Sequence, residues 1–176
     1  MTLYTVGHGA RASAELLALL GSVDVRVLAD VRRFPASRRH PQHGRAALER
    51  ALGAAGIRYA WLGESLGGRR AESVPAEASR NAAWQVPAFR NYADAIPSRG
   101  FRAGLAELEA LARGAPTAIL CAERDFAQCH RRILADLFVA RGWRVVHLVD
   151  PGKREEHALA PFARAADGTV TYPALL

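Results

Sequence analysis

Residues 117–149, TAILCAERDFAQCHRRILADLFVARGWRVVHLV, decide the fold. Thr117–Cys121 is a β-prone run followed by a polar loop. Apolar residues then recur at helical spacing from Arg131 to Arg141, Gly142 stops that helix, and Trp143–Val149 is β-prone again. Strand, helix and strand in this order form a crossover unit, which sets two parallel strands in one sheet.

Working outward, the same alternation continues towards the N-terminus. Leu3–Val6 reads as a strand ending in Gly7-His8-Gly9, and Ser13 stands as N-cap before a helix Ala14–Leu20 that Gly21 stops. Val25–Val31 reads as a second strand, Arg45–Leu52 as a helix, Ile57–Leu62 as a third strand and Gly63–Arg70 as a loop. Two more helices are expected at Phe89–Ile96 and Phe101–Ala112. Residues 71–88 contain Pro75 and show no period, so they are expected to form an irregular excursion over the site. No pattern organises the tail, 151–176. The fold expected is one α/β domain over 1–176: a Rossmann-like three-layer sandwich with a mostly parallel sheet of about five strands.

The chain has 176 residues, half of them apolar and 23% charged, which is a globular balance rather than a disordered one. No apolar run approaches the roughly 20 residues of a membrane helix, and MTLYTVGHGA lacks a basic and then apolar leader. The expectation is a cytoplasmic protein without membrane contact. Two cysteines are too few for a disulfide scaffold and read as free thiols or ligands. The basic residues are 23 arginines and the single Lys153, and the net charge is +7. Such an excess suits a polyanionic partner, although arginine-for-lysine replacement in a GC-rich genome gives the same composition.

In parallel sheets ligands sit beyond the carboxyl ends of the strands, and reactive side chains gather at those positions here. His8 and Arg11 follow the first strand; Asp30 and Arg32 the second; Gly67, Gly68 and Arg69 the third; Cys121 and Glu123 the fourth. His8, Asp30, Cys121, Glu123 and His130 are the candidate catalytic residues, for proton transfer or, at Cys121, as nucleophile or pocket wall. Arg11, Arg32, Ser37, Arg38, Gly67, Gly68, Arg69, Cys129 and Arg131 are the candidate substrate or phosphate binders. Arginine forks grip phosphate oxygens, glycines let a ligand approach the backbone, and the helix start near His130 offers free N–H groups. Trp84 could stack on an extruded base, but core packing is its commoner use. No cofactor is expected. Cys121, Cys129 and His130 could ligate a metal, but their spacing is unlike the CxxC of structural zinc sites.

Taken together, TVGHGAR at 5–11, DVRRFPASRR at 30–39, IRYAWLGESLGGRR at 57–70, FRNYADAI at 89–96, ILCAERDFAQCHRRILADLF at 119–138 and RVVHLV at 144–149 resemble the DUF488 family of small bacterial and archaeal proteins. Gly9 stands where that family usually has serine, and Ile96 where it has Met. The resemblance implies an α/β domain and draws attention to most of the residues named above, but it brings no mechanism. The function expected is an enzyme acting on a phosphate-bearing substrate, nucleic acid or nucleotide. The alternatives are a non-catalytic nucleic-acid-binding module and a thiol- or metal-dependent enzyme for a small molecule.

Overall fold

The β-prone runs become β1 (Thr2–Gly7), β2 (Val27–Asp30), β3 (Arg58–Trp61), β4 (Thr117–Cys121) and β5 (Arg144–Asp150) in a computed structural model that describes residues 1–174. Residues 175–176 of the C-terminal tail lie outside the described residues. The helices are α1 (Ser13–Gly21), α2 (Arg45–Ala54), the single turn α3 (Gly63–Leu66), α4 (Pro87–Asp94), α5 (Arg99–Gly114) and α6 (Arg131–Ala140). Ser13 lies inside α1 rather than capping it. Ala12 holds the cap position, and no side chain accepts from the first turn. Residues 63–66, expected as loop, wind into α3.

The tail is more ordered than its sequence suggested. After Pro151-Gly152, β6 (Lys153–Glu156) returns antiparallel to β5, and β7 (Arg164–Ala166) pairs with β8 (Thr169–Thr171) in a separate ribbon. The main sheet therefore has six strands, in the order β3-β2-β4-β1-β5-β6, with the first five parallel. Helices cover both faces. Leu16, Leu19 and Leu20 of α1 and Leu48 and Leu52 of α2 bury against Leu28, Ala118 and Leu120 on one side. Phe101, Leu105 and Leu108 of α5 with Ile133, Leu134, Leu137 and Phe138 of α6 bury against Ala29, Ile119 and Val145 on the other. Neighbouring strand residues thus feed opposite cores, as the two-residue period of a strand requires.

Topology places the site. The chain steps from β1 outward to β2 and β3, returns to insert β4 between β2 and β1, then crosses β1 to β5. At this reversal Gly7 pairs with Cys121, and Asp30 with Leu120. Three strand ends therefore open side by side. The hydrogen bonding runs on past the strands, from His8 N to Cys121 O (3.0 Å) and from Gly9 N to Ala122 O (2.8 Å). Gly7 is required by this close approach, since a Cβ there would overlap the Glu123 carbonyl.

The 71–88 excursion contains one 3-10 turn, Ala76–Ala78, and its second half packs inward. Asn81 binds Asp94 and accepts from the backbone of Tyr172 (3.0 Å). Trp84 is buried among Phe89, Phe162 and Tyr172, so its ring belongs to the core and is not offered to a ligand.

Candidate functional site

A cleft of about 400 Å³ opens at the three strand ends. Its floor includes His8, Cys121, Glu123, Cys129 and His130. Arg32, Arg33, Ser37, Gly68 and Arg69 line it from the loops after β2 and β3, and Ala88 and Phe89 from the start of α4. The residues expected at the site that do not line it are Asp30, Arg11, Arg38, Gly67 and Arg131. Arg33 and the exposed Phe34 also line it, although neither is among the candidate residues named from the sequence.

Asp30 lies beneath the cleft and is fully buried. Its Oδ1 accepts from the backbone N–H (3.0 Å) and Nε (2.9 Å) of Arg32, and its Oδ2 from Arg32 Nη2 (2.6 Å) and the Tyr59 hydroxyl (2.7 Å). With both oxygens occupied, it positions Arg32 rather than serving as a base. Arg32 Nη1 in turn donates to His8 Nε2 (3.1 Å) and to the His43 carbonyl (2.9 Å). Four of its five N–H groups are thus spent inside the protein, and a bidentate grip on phosphate is not left open.

The same contact settles the tautomer of His8. A guanidinium only donates, so Nε2 accepts, and the ring proton sits on Nδ1, which donates to the Gly9 carbonyl (2.9 Å). Burial, aided by the Arg32 charge, lowers the His8 pKa to about 4. His8 is therefore neutral at neutral pH, with both nitrogens engaged. His43 packs against it at a tilt of 30°, with ring centroids 4.4 Å apart, and donates from Nε2 to the Arg11 carbonyl (2.8 Å). This second buried imidazole carries no local sequence signal, because its partners come from distant loops.

Arg11 is turned away from the cleft. It ties the loop after β1 to Gly7 O (3.2 Å), Glu15, the Val149 carbonyl and Asp150 (3.1 Å). Arg131 is similarly internal, 1% exposed, and donates to Thr5 Oγ1 (3.1 Å) and to the carbonyls of Glu123 and Arg124. It braces the loop between β4 and α6 from behind. Arg38 is exposed outside the cleft, and Gly67 packs under it against Arg33.

The two thiols and His130 meet at the floor. His130 Nε2 donates to the Val31 carbonyl (3.2 Å), which turns Nδ1 towards Cys129 Sγ (3.7 Å) and Cys121 Sγ (3.9 Å). The Arg131 backbone N–H also reaches Cys129 Sγ (3.5 Å) at the start of α6. Cys121 is held well above the ordinary thiol value, because it donates to Cys129 and is buried. Burial alone would raise Cys129 too, but the hydrogen bond from Cys121, the contact with His130 and the nearby Arg131 charge outweigh it and hold that thiol well below. Gly68 closes over this group; a Cβ there would come within 3.0 Å of His130 Nδ1.

Burial of neutral imidazoles has a measurable consequence. His8, and His147 on β5 with its pKa lowered to about 3 mainly by burial, both resist protonation when folded, whereas the unfolded chain protonates near pH 6.5. The unfolded state then binds more protons below pH 6.5, so stability is full above that pH and falls as pH drops towards 4, by up to roughly 3 kcal/mol for each ring. Imidazole ¹⁵N shifts should show both rings neutral down to pH 5. A midpoint near 6.5 for either ring would contradict this.

No curated protein and no solved structure matches the chain. No helix among the described residues is long and apolar enough to cross a membrane. A family model described as a domain of unknown function matches residues 13–138, from α1 through most of α6 and including every cleft residue except His8. With more than half of the chain covered, the protein belongs to the DUF488 family.

Proposed function

We propose that the protein is an enzyme acting on a phosphate-bearing substrate, a nucleotide either free or within a single strand, held in the cleft at the ends of β1, β2 and β4. The observation that carries this reading is the division of the cleft into a cationic rim and a reactive floor. At the rim Arg69 is exposed, at a left-handed φ of 57°, and forms no ion pair among the described residues. Arg33 is also exposed and spends one N–H on the Glu64 carbonyl (2.7 Å). These two arginines keep the paired donors for phosphate oxygens that Arg32 has spent inside the protein.

At the floor stand the thiol–imidazole group and the Glu123 carboxylate, which is exposed to the cleft and forms no ion pair among the described residues. A binding module has no use for a carboxylate facing a phosphate, since the like charges repel. A proton-transfer step does have one. A volume of about 400 Å³ suits one nucleotide and not a duplex, and Phe34, 65% exposed on the cleft, offers a face for a base.

Titration with a short single-stranded oligonucleotide and with a nucleoside triphosphate across a salt series tests this reading. Arg33→Ala with Arg69→Ala should weaken binding at least about tenfold and flatten the salt dependence. Glu123→Gln should keep the fold, bind as well or better, and lose turnover in a screen for phosphate release or base modification. Binding unchanged in the double arginine variant would sink the proposal.

A further inference from the structure

Cys121, Cys129 and His130 come from different elements, the end of β4 and the turn that starts α6, yet their ligand atoms all lie within 4.8 Å of one another. The spacing along the chain is unlike a CxxC pair, but the short 3-10 turn at Phe126–Gln128 folds the gap back on itself. We infer that these three side chains form a binding site for a thiophilic divalent cation of the zinc class, with the fourth coordination position open to the cleft.

Tetrahedral geometry carries the argument. Zinc bonds of about 2.3 Å to sulfur and about 2.0 Å to nitrogen set the ligand atoms about 3.5 Å apart for sulfur and nitrogen. The Nδ1 to Sγ separations of 3.7 and 3.9 Å need adjustments of only a few tenths of an ångström to meet this. The supporting contacts have the form that metal sites use. The outer nitrogen of His130 donates to the Val31 carbonyl (3.2 Å), which orients the ring, and the Arg131 N–H (3.5 Å) supports the Cys129 sulfur.

Gly68 is a further, independent sign. A side chain there would crowd Nδ1, the ligand atom, whereas glycine leaves it clear. Two thiolates and one divalent cation also sum to zero charge, which suits ligands that are 7% and 3% exposed. No fourth carboxylate, imidazole or thiol joins the group among the described residues, and all three ligands line the cleft. Three protein ligands with one open position is the arrangement of metal sites that bind water or a substrate oxygen, rather than of closed structural sites. The inference rests on the proposed substrate reading only for what the open position would receive.

Elemental analysis of the full chain, purified without chelator, should give one zinc per chain. That zinc should be lost in Cys129→Ser and retained in Arg69→Ala. Cobalt added to the metal-stripped wild type should give a thiolate-to-cobalt charge-transfer band, a readout that needs no variant to fold. Thiol reagents should react with both cysteines only after chelation. Metal-free protein with no cobalt–thiolate band and freely titrating thiols would overturn the inference, even if the nucleotide still binds. Stoichiometric zinc without nucleotide binding would support this site and overturn only the substrate reading.

Discussion

Asp30→Ala is expected to destabilise the protein by about 3–5 kcal/mol, because it breaks a buried ion pair from one side only. Arg32 is 5% exposed, and three of its contacts with Asp30 fall between 2.6 and 3.0 Å. Without the carboxylate the guanidinium remains buried and uncompensated, and the Tyr59 hydroxyl loses its acceptor. The damage reaches the cleft through the next contact. Arg32 holds His8 Nε2, so its displacement frees that ring to protonate or rotate. Asp30→Asn keeps the shape and one acceptor oxygen but not the charge, and its effect should be intermediate. Urea unfolding of the three proteins, together with the ¹⁵N shifts of His8, provides the measurement. A loss below about 1 kcal/mol in the alanine variant would show that Arg32 finds water or another partner, and that the pair is not what organises the loop after β2.

Asp136→Ala is the second large effect, expected at roughly 3 kcal/mol or more. Asp136, on α6, is fully buried and accepts from three donors: His157 Nε2 (2.9 Å), the Ala160 N–H (3.1 Å) and the Tyr172 hydroxyl (2.7 Å). His157 Nδ1 meets His147 Nε2 (2.9 Å), His147 Nδ1 meets Thr5 Oγ1 (2.7 Å), and that hydroxyl accepts from Arg131 (3.1 Å). Because arginine only donates and a carboxylate only accepts, every hydrogen bond in the chain can point one way, from Arg131 to Asp136, with both imidazoles neutral. The chain therefore links the brace behind the β4–α6 loop to the segment around Tyr172.

Alanine at 136 would leave three buried donors unsatisfied and release residues 157–172 from the core face of α6. Hydrogen exchange and limited proteolysis should show protection lost first in that segment, before the central strands. Uniform loss of protection across the whole sheet would instead mean that the C-terminal segment unfolds only with the rest.

The sequence by itself determined the order of β1 through β5 and of the helices between them other than the single turn α3, their parallel arrangement, and the concentration of reactive groups at the strand ends. These follow from local periodicity. A run such as Thr117–Cys121 has one stable use between two helices, and the chemistry then falls where the strand stops. The edge strand β6 left no such local pattern: Lys153–Glu156 is wholly charged and mostly exposed, and only its pairing with β5 makes it a strand. The β7–β8 ribbon is too short and too exposed to leave a comparable pattern.

Only the tertiary structure decided which arginines are free and which are spent. Arg11, Arg32 and Arg131 look as available in the sequence as Arg33 and Arg69, but the first three are buried and engaged by partners as many as 139 positions away. Hydrogen-bond satisfaction is a property of the folded interior and leaves no mark on the neighbouring residues. The meeting of Cys121, Cys129 and His130 was decided in the same way, because β4 inserts beside β1 and the turn before α6 brings two sulfurs and one imidazole nitrogen to a common point.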